Sequence, residues 1–363
     1  MKRRRVWVLP IIALVMIVIA ACSSAGNGNQ SEEGQSNGGQ SESNPSNSQP
    51  SSTTGSDSQS QSAASGETVV LKGVTAWSQT EINTSGFFIF KEKVEQMSGG
   101  KIQIDYAGGP EVIPPFDQGE AVRNGVVDIA LVSAAYFMNQ FPEGGALGFG
   151  EVTVEEEHQN GGWDYINELA NQKMNMQLIA HDAGQQVNIF LKTPVDSIDD
   201  LKGKRIRVSP LYVPAMKALG IEPVTMPGGE IYSALERGVV DGFVWPEDGM
   251  TTLSLHEQVK YIVYPKFYHN DLVLAVNLDK WNSLPQDVKD TLTQAGREVE
   301  KEVTLAYQEF RNKEAKIIEE EGIQKINLDE DKVLSTVYDA AWEFMKENNP
   351  ETIDQLVKYF RKN

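Results

Sequence analysis

Cysteine is almost absent from this chain: among 363 residues there is one, Cys22. A single thiol excludes an intrachain disulfide, and its place near the N-terminus leaves the rest of the chain without a thiol nucleophile. Histidine is also sparse. His158, His181, His256 and His269 stand far apart, with no H-E-x-x-H spacing to hold zinc. Neither a G-x-S-x-G elbow nor a phosphate-binding P-loop occurs. Positive charge is in deficit, with 32 Lys and Arg against 51 Asp and Glu and a formal charge of −19. That balance argues against a nucleic-acid partner. The carboxylates are many, yet nothing in the sequence sets two of them as an acid–base pair. An exported hydrolase is the enzymatic alternative that these absences leave standing, and they point away from it.

What is present begins with an export signal. Lys2, Arg3, Arg4 and Arg5 precede an apolar run from Val6 to Ile19, and Ile19-Ala20-Ala21-Cys22 closes it with small residues before cysteine. This reads as a lipoprotein signal peptide over 1–21 with Cys22 as the lipidated first residue. The run is short for a transmembrane anchor. Its removal takes four cationic residues and shifts the formal charge from −19 to −23. Residues 22–66 then form a linker of Ser, Gly, Asn and Gln with almost no apolar side chain, which has no means to bury a core. A flexible coil of this length averages roughly 35 Å end to end. The expectation is a tether that holds a folded body near a membrane, as suits the surface of a Gram-positive cell.

From residue 67 the pattern is α/β. Thr68–Ala76, Lys101–Tyr106 and Val127–Val132 read as strands, with an amphipathic helix at Phe87–Ser98 and a Pro-containing loop and helix over Glu111–Asn124. Trp77–Gly86 reads as a polar loop at the C-terminal end of the first strand, and Gly144–Gly150 as a glycine-rich loop without dinucleotide-binding spacing. His158–Met174 reads as a helix; Met176–His181, Val187–Lys192 and Leu272–Asn277 read as strands. Pro285 to Glu321, interrupted only by Gly296, predicts one long helix with a bend at that glycine; two more helices follow, from Asp331 and from Glu351.

The stretch Ser197–Pro246 is the most informative: SIDDLKGKRIRVSPLYVPAMKALGIEPVTMPGGEIYSALERGVVDGFVWP. Strand, helix, strand, helix, strand at these spacings predict a parallel sheet, whose ligands sit at the C-terminal strand ends, near Arg207 and Trp245. The segments "DLKGKRIRV", "ALGIEPV", "EIYSALERGVVDG" and the following Trp-Pro resemble the solute-binding subunit of tripartite ATP-independent periplasmic (TRAP) transporters, the DctP family, and the resemblance runs from about Val69 to the C-terminus. It implies a two-lobe periplasmic-binding-protein fold, type II-like, with a long helix spanning both lobes. The implied lobes are 67–184 plus 272–311 and 185–271 plus 312–363.

The resemblance also implies a site. The arginine of the K-x-R-V strand, here Arg207, would hold a ligand carboxylate through two parallel hydrogen bonds, whereas Arg205 reads as a surface ion pair. Gly109–Tyr136, GPEVIPPFDQGEAVRNGVVDIALVSAAY, and Gly184-Gln185-Gln186 resemble the branch that binds 2-oxo and 2-hydroxy monocarboxylates. That branch implies Tyr136 and Gln186 as hydrogen-bonding groups at the ligand and Trp245 as a pocket wall. Ordinary core packing is the competing reading of Tyr136 and Trp245. Metal-using members carry glutamate directly before that tryptophan; Val244 stands here and has no oxygen ligand to offer, so no cofactor is implied, and a metal-bridged ligand is the alternative that would need Glu247 or Asp248, at a different spacing, in its place. Glu230 reads as a carboxylate at a helix N-terminus. The whole implies an extracytoplasmic, lipid-anchored receptor that delivers a small organic acid to a TRAP permease and performs no catalysis. A receptor for an ABC importer and a sensory receptor are the alternatives of similar architecture.

Overall fold

The computed structural model describes residues 68–362. The signal peptide, Cys22 and the linker lie outside the described residues. Two sheets and the helices around them account for the body.

The chain starts with β1 (Val69–Thr75), α1 (Ser85–Met97), β2 (Ile102–Gly108), α2 (Gln118–Arg123) and β3 (Ile129–Ser133). Every residue of β3 is buried, as expected of a central strand covered on both faces. The short helices α3 (Gly145–Phe149) and α4 (Val154–Asn160) follow, then α5 (Gly162–Met174) and β4 (Met176–Asp182). The chain crosses to a second sheet with β5 (Gln186–Leu191), β6 (Arg205–Val208), α6 (Val213–Ala218), β7 (Glu222–Thr225), α7 (Ile231–Glu236), β8 (Gly242–Pro246) and β9 (Tyr261–His269). It returns with β10 (Leu272–Asn277) and continues through α8 (Leu278–Ser283), α9 (Gln286–Glu320), β11 (Gln324–Asn327), α10 (Glu330–Asn348) and α11 (Ile353–Phe360).

The first sheet has the order β2-β1-β3-β10-β4 and the second β11-β9-β5-β8-β6-β7. The predicted parallel core is present in each: β1 lies parallel to β2 and β3, and β6 parallel to β7 and β8. Both sheets are mixed, however, because β10 runs antiparallel to β3 and β4, and β5 antiparallel to β8 and β9. These antiparallel strands flank the two crossings between the sheets, at 183–185 and 270–271. The crossings are tied to each other: the Asn270 backbone N–H donates to the Gln185 carbonyl at 3.0 Å, and the Asn270 side-chain amide donates to Gln185 Oε1.

The long helix is continuous from Gln286 to Glu320, about 52 Å at 1.5 Å per residue. Val288, Leu292, Ala295, Val299, Val303 and Tyr307 form one buried stripe against α1 and β4 of the first sheet. Further along, Arg311 makes a two-bond pair with Asp248 (2.8 and 2.8 Å), and Glu314 accepts the N–H of Gly249 and of Thr251 in the loop after β8. One helix therefore holds both sheets. Gly296 does not interrupt it; a Cβ there would lie 2.3 Å from the carbonyl oxygen of Ile179 on β4, so glycine permits the helix to lie flush on the strand.

Other local readings change with tertiary context. Gly144–Gly150 is not an open loop: Gly145–Phe149 is a buried helical turn, and a Cβ on Gly148 would come within 2.4 Å of Leu211 Cδ2. Those glycines serve close packing rather than flexibility. The helix expected over His158–Met174 is two helices, divided at Gly161 with φ +86°. Strand β9 escapes the sequence pattern because Pro265 interrupts its alternation and its register with β5 shifts twice. Of the C-terminal segment, α10 packs on α6 and β9, whereas α11 reaches back to α3, α4 and α5.

Gly296→Ala tests the close approach. On an exposed helix this change stabilises by about 1 kcal/mol; against the Ile179 carbonyl it is expected to destabilise, by roughly 1–3 kcal/mol. Urea unfolding of the variant reads the sign directly.

Candidate functional site

Arg207 is the largest fully buried side chain of the body, 1 % exposed. It is the third of the four residues of β6, and its neighbours across the ladder are Val224 and Phe243. Its Nε and Nη2 donate to the Met226 carbonyl at 2.9 and 2.6 Å, and Nη1 donates to the Val244 carbonyl at 3.5 Å. Among the described residues it makes no salt bridge. Burial lowers its pKa from the ordinary guanidinium value, opposed by the neighbouring Tyr136 and Tyr212. A cation out of water without a carboxylate costs several kcal/mol, and a bound anion offsets that cost. Its guanidinium lies 5.3 Å from the ring centroid of Trp245. Trp245 is itself held in place by a missing side chain, because a Cβ on Gly228 would lie 2.7 Å from its ring.

A small cavity of about 30 Å³ opens beside this pair. Trp77 and Tyr136 enter it from the loops after β1 and β3, and Trp245 from the end of β8, so the walls come from C-terminal strand ends of both sheets. Asp271, on the second crossing, completes it; its carboxylate accepts from Ser133 Oγ (2.8 and 3.0 Å) and from the Ala135 N–H (2.6 Å). Burial raises the pKa of Asp271, and those donors oppose the rise. Burial likewise pushes the Tyr136 phenol up to about 12, with the Arg207 charge opposing, so Tyr136 is neutral and retains its proton as a hydrogen-bond donor. Asn83 Oδ1, Ser209 Oγ, Trp77 Nε1 and Trp245 Nε1 are buried without a protein partner. Such a set of unpaired groups around one space is what a polar ligand satisfies. The volume equals about one water-sized group, less than an organic acid occupies.

Three of the residues singled out in the sequence, Arg207, Tyr136 and Trp245, meet at this cavity. Gln186 does not. It is exposed, opposite His269 in the ladder, and lines a different and larger cavity. Its neighbour Gln185 is the buried one, 1 % exposed, bonded to Asn270 in the wall of the Arg207 cavity. Both glutamines line the larger cavity and neither lines the Arg207 cavity, which the crossing reaches through Asn270. Arg205 is paired with Asp241 at the surface (2.9 Å), and Glu230 stands at the N-terminus of α7 without a side-chain capping bond. Val244 contributes a buried apolar side chain and its carbonyl. Sequence reasoning missed Trp77, Tyr212 and Asp271. Trp77 had a signal, since it opens the polar loop after the first strand; Asp271 had none beyond lying just before β10.

Two α/β sheets joined by two strand crossings and one long helix, with a buried unpaired arginine between them, define a two-lobe binding protein. The chain belongs to the bacterial extracellular solute-binding protein family 7, DctP, whose model matches residues 73–348. A monocarboxylate 2-oxoacid-binding periplasmic protein of Nostoc sp. is 28% identical over 60% of this chain, and the match spans 62% of that protein. The C4-dicarboxylate-binding periplasmic protein DctP of Rhodobacter capsulatus is 24% identical over 64% of this chain and 72% of its own length. The crystal structure of a TRAP periplasmic solute-binding protein from Desulfovibrio salexigens with bound orotic acid superposes with a TM-score of 0.73 at 19% identity, covering 80% of this chain and 96% of that one. Among the described residues no helix is long and apolar enough to cross a membrane.

The end of β4, just before the crossing, carries a pH-sensitive group. Asp182 is buried; burial raises its pKa to about 7, and the hydrogen bond donated by Tyr307 Oη of α9 (3.0 Å) opposes the rise. The folded state therefore holds a proton that the unfolded chain releases near pH 4, and stability falls as pH rises between about 4 and 7. Glu300, raised to about 7 by burial, acts in the same direction. In Asp182→Asn the fall in melting temperature between about pH 4.5 and pH 7.5 is expected to be smaller than in the parent protein. An unchanged slope would show that Asp182 stays ionised throughout.

Proposed function

We propose that this protein is the extracytoplasmic receptor of a TRAP-type uptake system and captures a small 2-oxo or 2-hydroxy monocarboxylate between its two lobes. The observation that carries the reading is Arg207, a buried cation held by main-chain carbonyls and without a carboxylate partner among the described residues. A carboxylate fits its fork. A single carboxylate suits the cavity better than two. Arg207 is the only cation in its lining, so a second anionic group would find no second cation to pair with. The 28% identity to the Nostoc 2-oxoacid-binding protein supports the same class. Tyr136 would donate to the ligand, Trp245 would wall it, and Gln185 rather than Gln186 would fix the adjoining crossing through Asn270.

Delivery follows from the architecture. Opening separates walls that belong to different sheets, and closing buries the acid; the closed receptor then docks on membrane permease subunits. Cys22 would carry the lipid, and residues 23–66 would give the body reach above the membrane from which the permease accepts the acid. No step makes or breaks a covalent bond in the ligand.

Native mass spectrometry of the purified protein, followed by denaturation and identification of any released molecule, is expected to show one unchanged organic acid per chain. A thermal-shift series with pyruvate, lactate, succinate and a sugar acid is expected to rank the monocarboxylates first. Arg207→Ala, with Arg207→Lys as a charge-preserving companion, is expected to weaken binding by at least about 100-fold, near the lower end of what removing one partner of a buried charge pair costs. Near-parental affinity in a folded Arg207→Lys would refute the bidentate role, and turnover of the bound acid would refute the receptor reading.

A further inference from the structure

A second cavity, of about 450 Å³, lies where the β4–β5 crossing, the end of β9, the start of α4 and the middle of α9 converge. It shares no lining residue with the Arg207 cavity. Its volume falls within the range of small-molecule sites. In a chain of formal charge −19, it gathers four side-chain cations, Lys266, Arg297, Lys301 and Arg311.

The local ion pairs consume only part of that charge. Arg311 is fully engaged by Asp248, with two bonds at 2.8 Å. Arg297 gives one bond to Glu300 at 3.2 Å and is half exposed. Lys266 stands 3.4 Å from Glu247, a loose contact that leaves the ammonium donors in reach of another acceptor. Lys301 makes none of the salt bridges among the described residues and is exposed at the rim. The acidic lining is already spoken for in two of three cases. Glu157 is bonded to His181 at 2.9 Å, and Glu300 accepts from Arg297 and from the His181 backbone N–H (3.1 Å). Glu155 is the remaining carboxylate, on α4. Gln185 adds a further donor, since its side-chain nitrogen is buried and has no partner. Cations from two different elements, β9 and α9, together with an unsatisfied amide donor, match an oxyanion that carries more than one charge.

We propose that this cavity is a second ligand site, for a small multivalent oxyanion, held by Lys301, Lys266 and Arg297 with Gln185 as the buried donor. An occupant would touch β4–β5, β9 and α9 together, which are the segments that join the two sheets. The site does not depend on the identity of the acid bound at Arg207.

Titration calorimetry of the purified protein with inorganic phosphate and with citrate, and with acetate as a singly charged control, tests the proposal. Saturable one-to-one binding of phosphate or citrate, but not of acetate, is expected; which of the two binds separates a phosphate-bearing from a carboxylate-rich ligand. Lys301→Glu, a change at an exposed helical position that leaves the fold in place, is expected to weaken that binding by about tenfold or more, equivalent to 1.4 kcal/mol. The binding is expected to persist in Arg207→Ala and Arg207→Lys. The proposal is overturned if neither anion saturates at millimolar concentration, if Lys301→Glu binds as the parent does, or if both Arg207 variants lose the binding, which would place the anion in the other cavity.

Discussion

The arrangement around the cleft depends on a cation kept out of water without a protein anion to neutralise it. Arg207 is held by two main-chain carbonyls, from the loop after β7 and from β8, and lies against the ring of Trp245. These neighbours orient the guanidinium without satisfying its charge. Everything else near it answers to that deficit. Tyr136 stays protonated, Asp271 is tied down by Ser133 and Ala135 on the far side, and polar atoms from both lobes face the same space without partners. A site assembled this way gains most from the one ligand group that supplies the missing charge with the right planar geometry. The protein as a whole is acidic and repels anions at a distance, so selectivity rests on what happens after the solute is within a few ångströms.

The scaffold makes such a site workable because the walls and the hinge are different parts. The walls sit on loops at strand ends, while the sheets are joined by two short crossings and by α9. The crossings bond to each other through Gln185 and Asn270, and α9 is pinned to the first sheet by its apolar stripe and to the second by Arg311 and Glu314. The joints between the sheets are thus separate from the walls, and the buried groups Asp182, His181 and Glu300 lie on β4 and α9 rather than in the cleft.

Much of this was legible in the sequence. Alternation and helix-ending glycines located most of the elements, and the length of α9 followed from the absence of helix breakers. Where reading stopped, the cause was tertiary. Gly296, Gly148 and Gly144 look like breakers in one dimension, yet two of them exist because another chain segment presses on them. Strand β9 carries Pro265 and slips register, which removes the alternation that reveals a strand. At the site, Arg207 and Trp245 stood out because their motif is long. Gln185 and Gln186 are adjacent and carry no sign in the sequence of which is buried, and both line the other cavity. Asp271 and Tyr212 reach the cavity from segments with no local pattern, so only the fold brings them there.

The contact between Gly228 and Trp245 has a consequence for how this receptor can change over generations. Gly228 opens the short helical turn before α7 and does not line the cavity, yet its bare α-carbon sets how far the indole can lean. A side chain there would collide with the ring of Trp245 and force it to shift. Drift at a position remote from the solute would thus re-shape what the receptor accepts, while the residues that read as the binding set stayed the same.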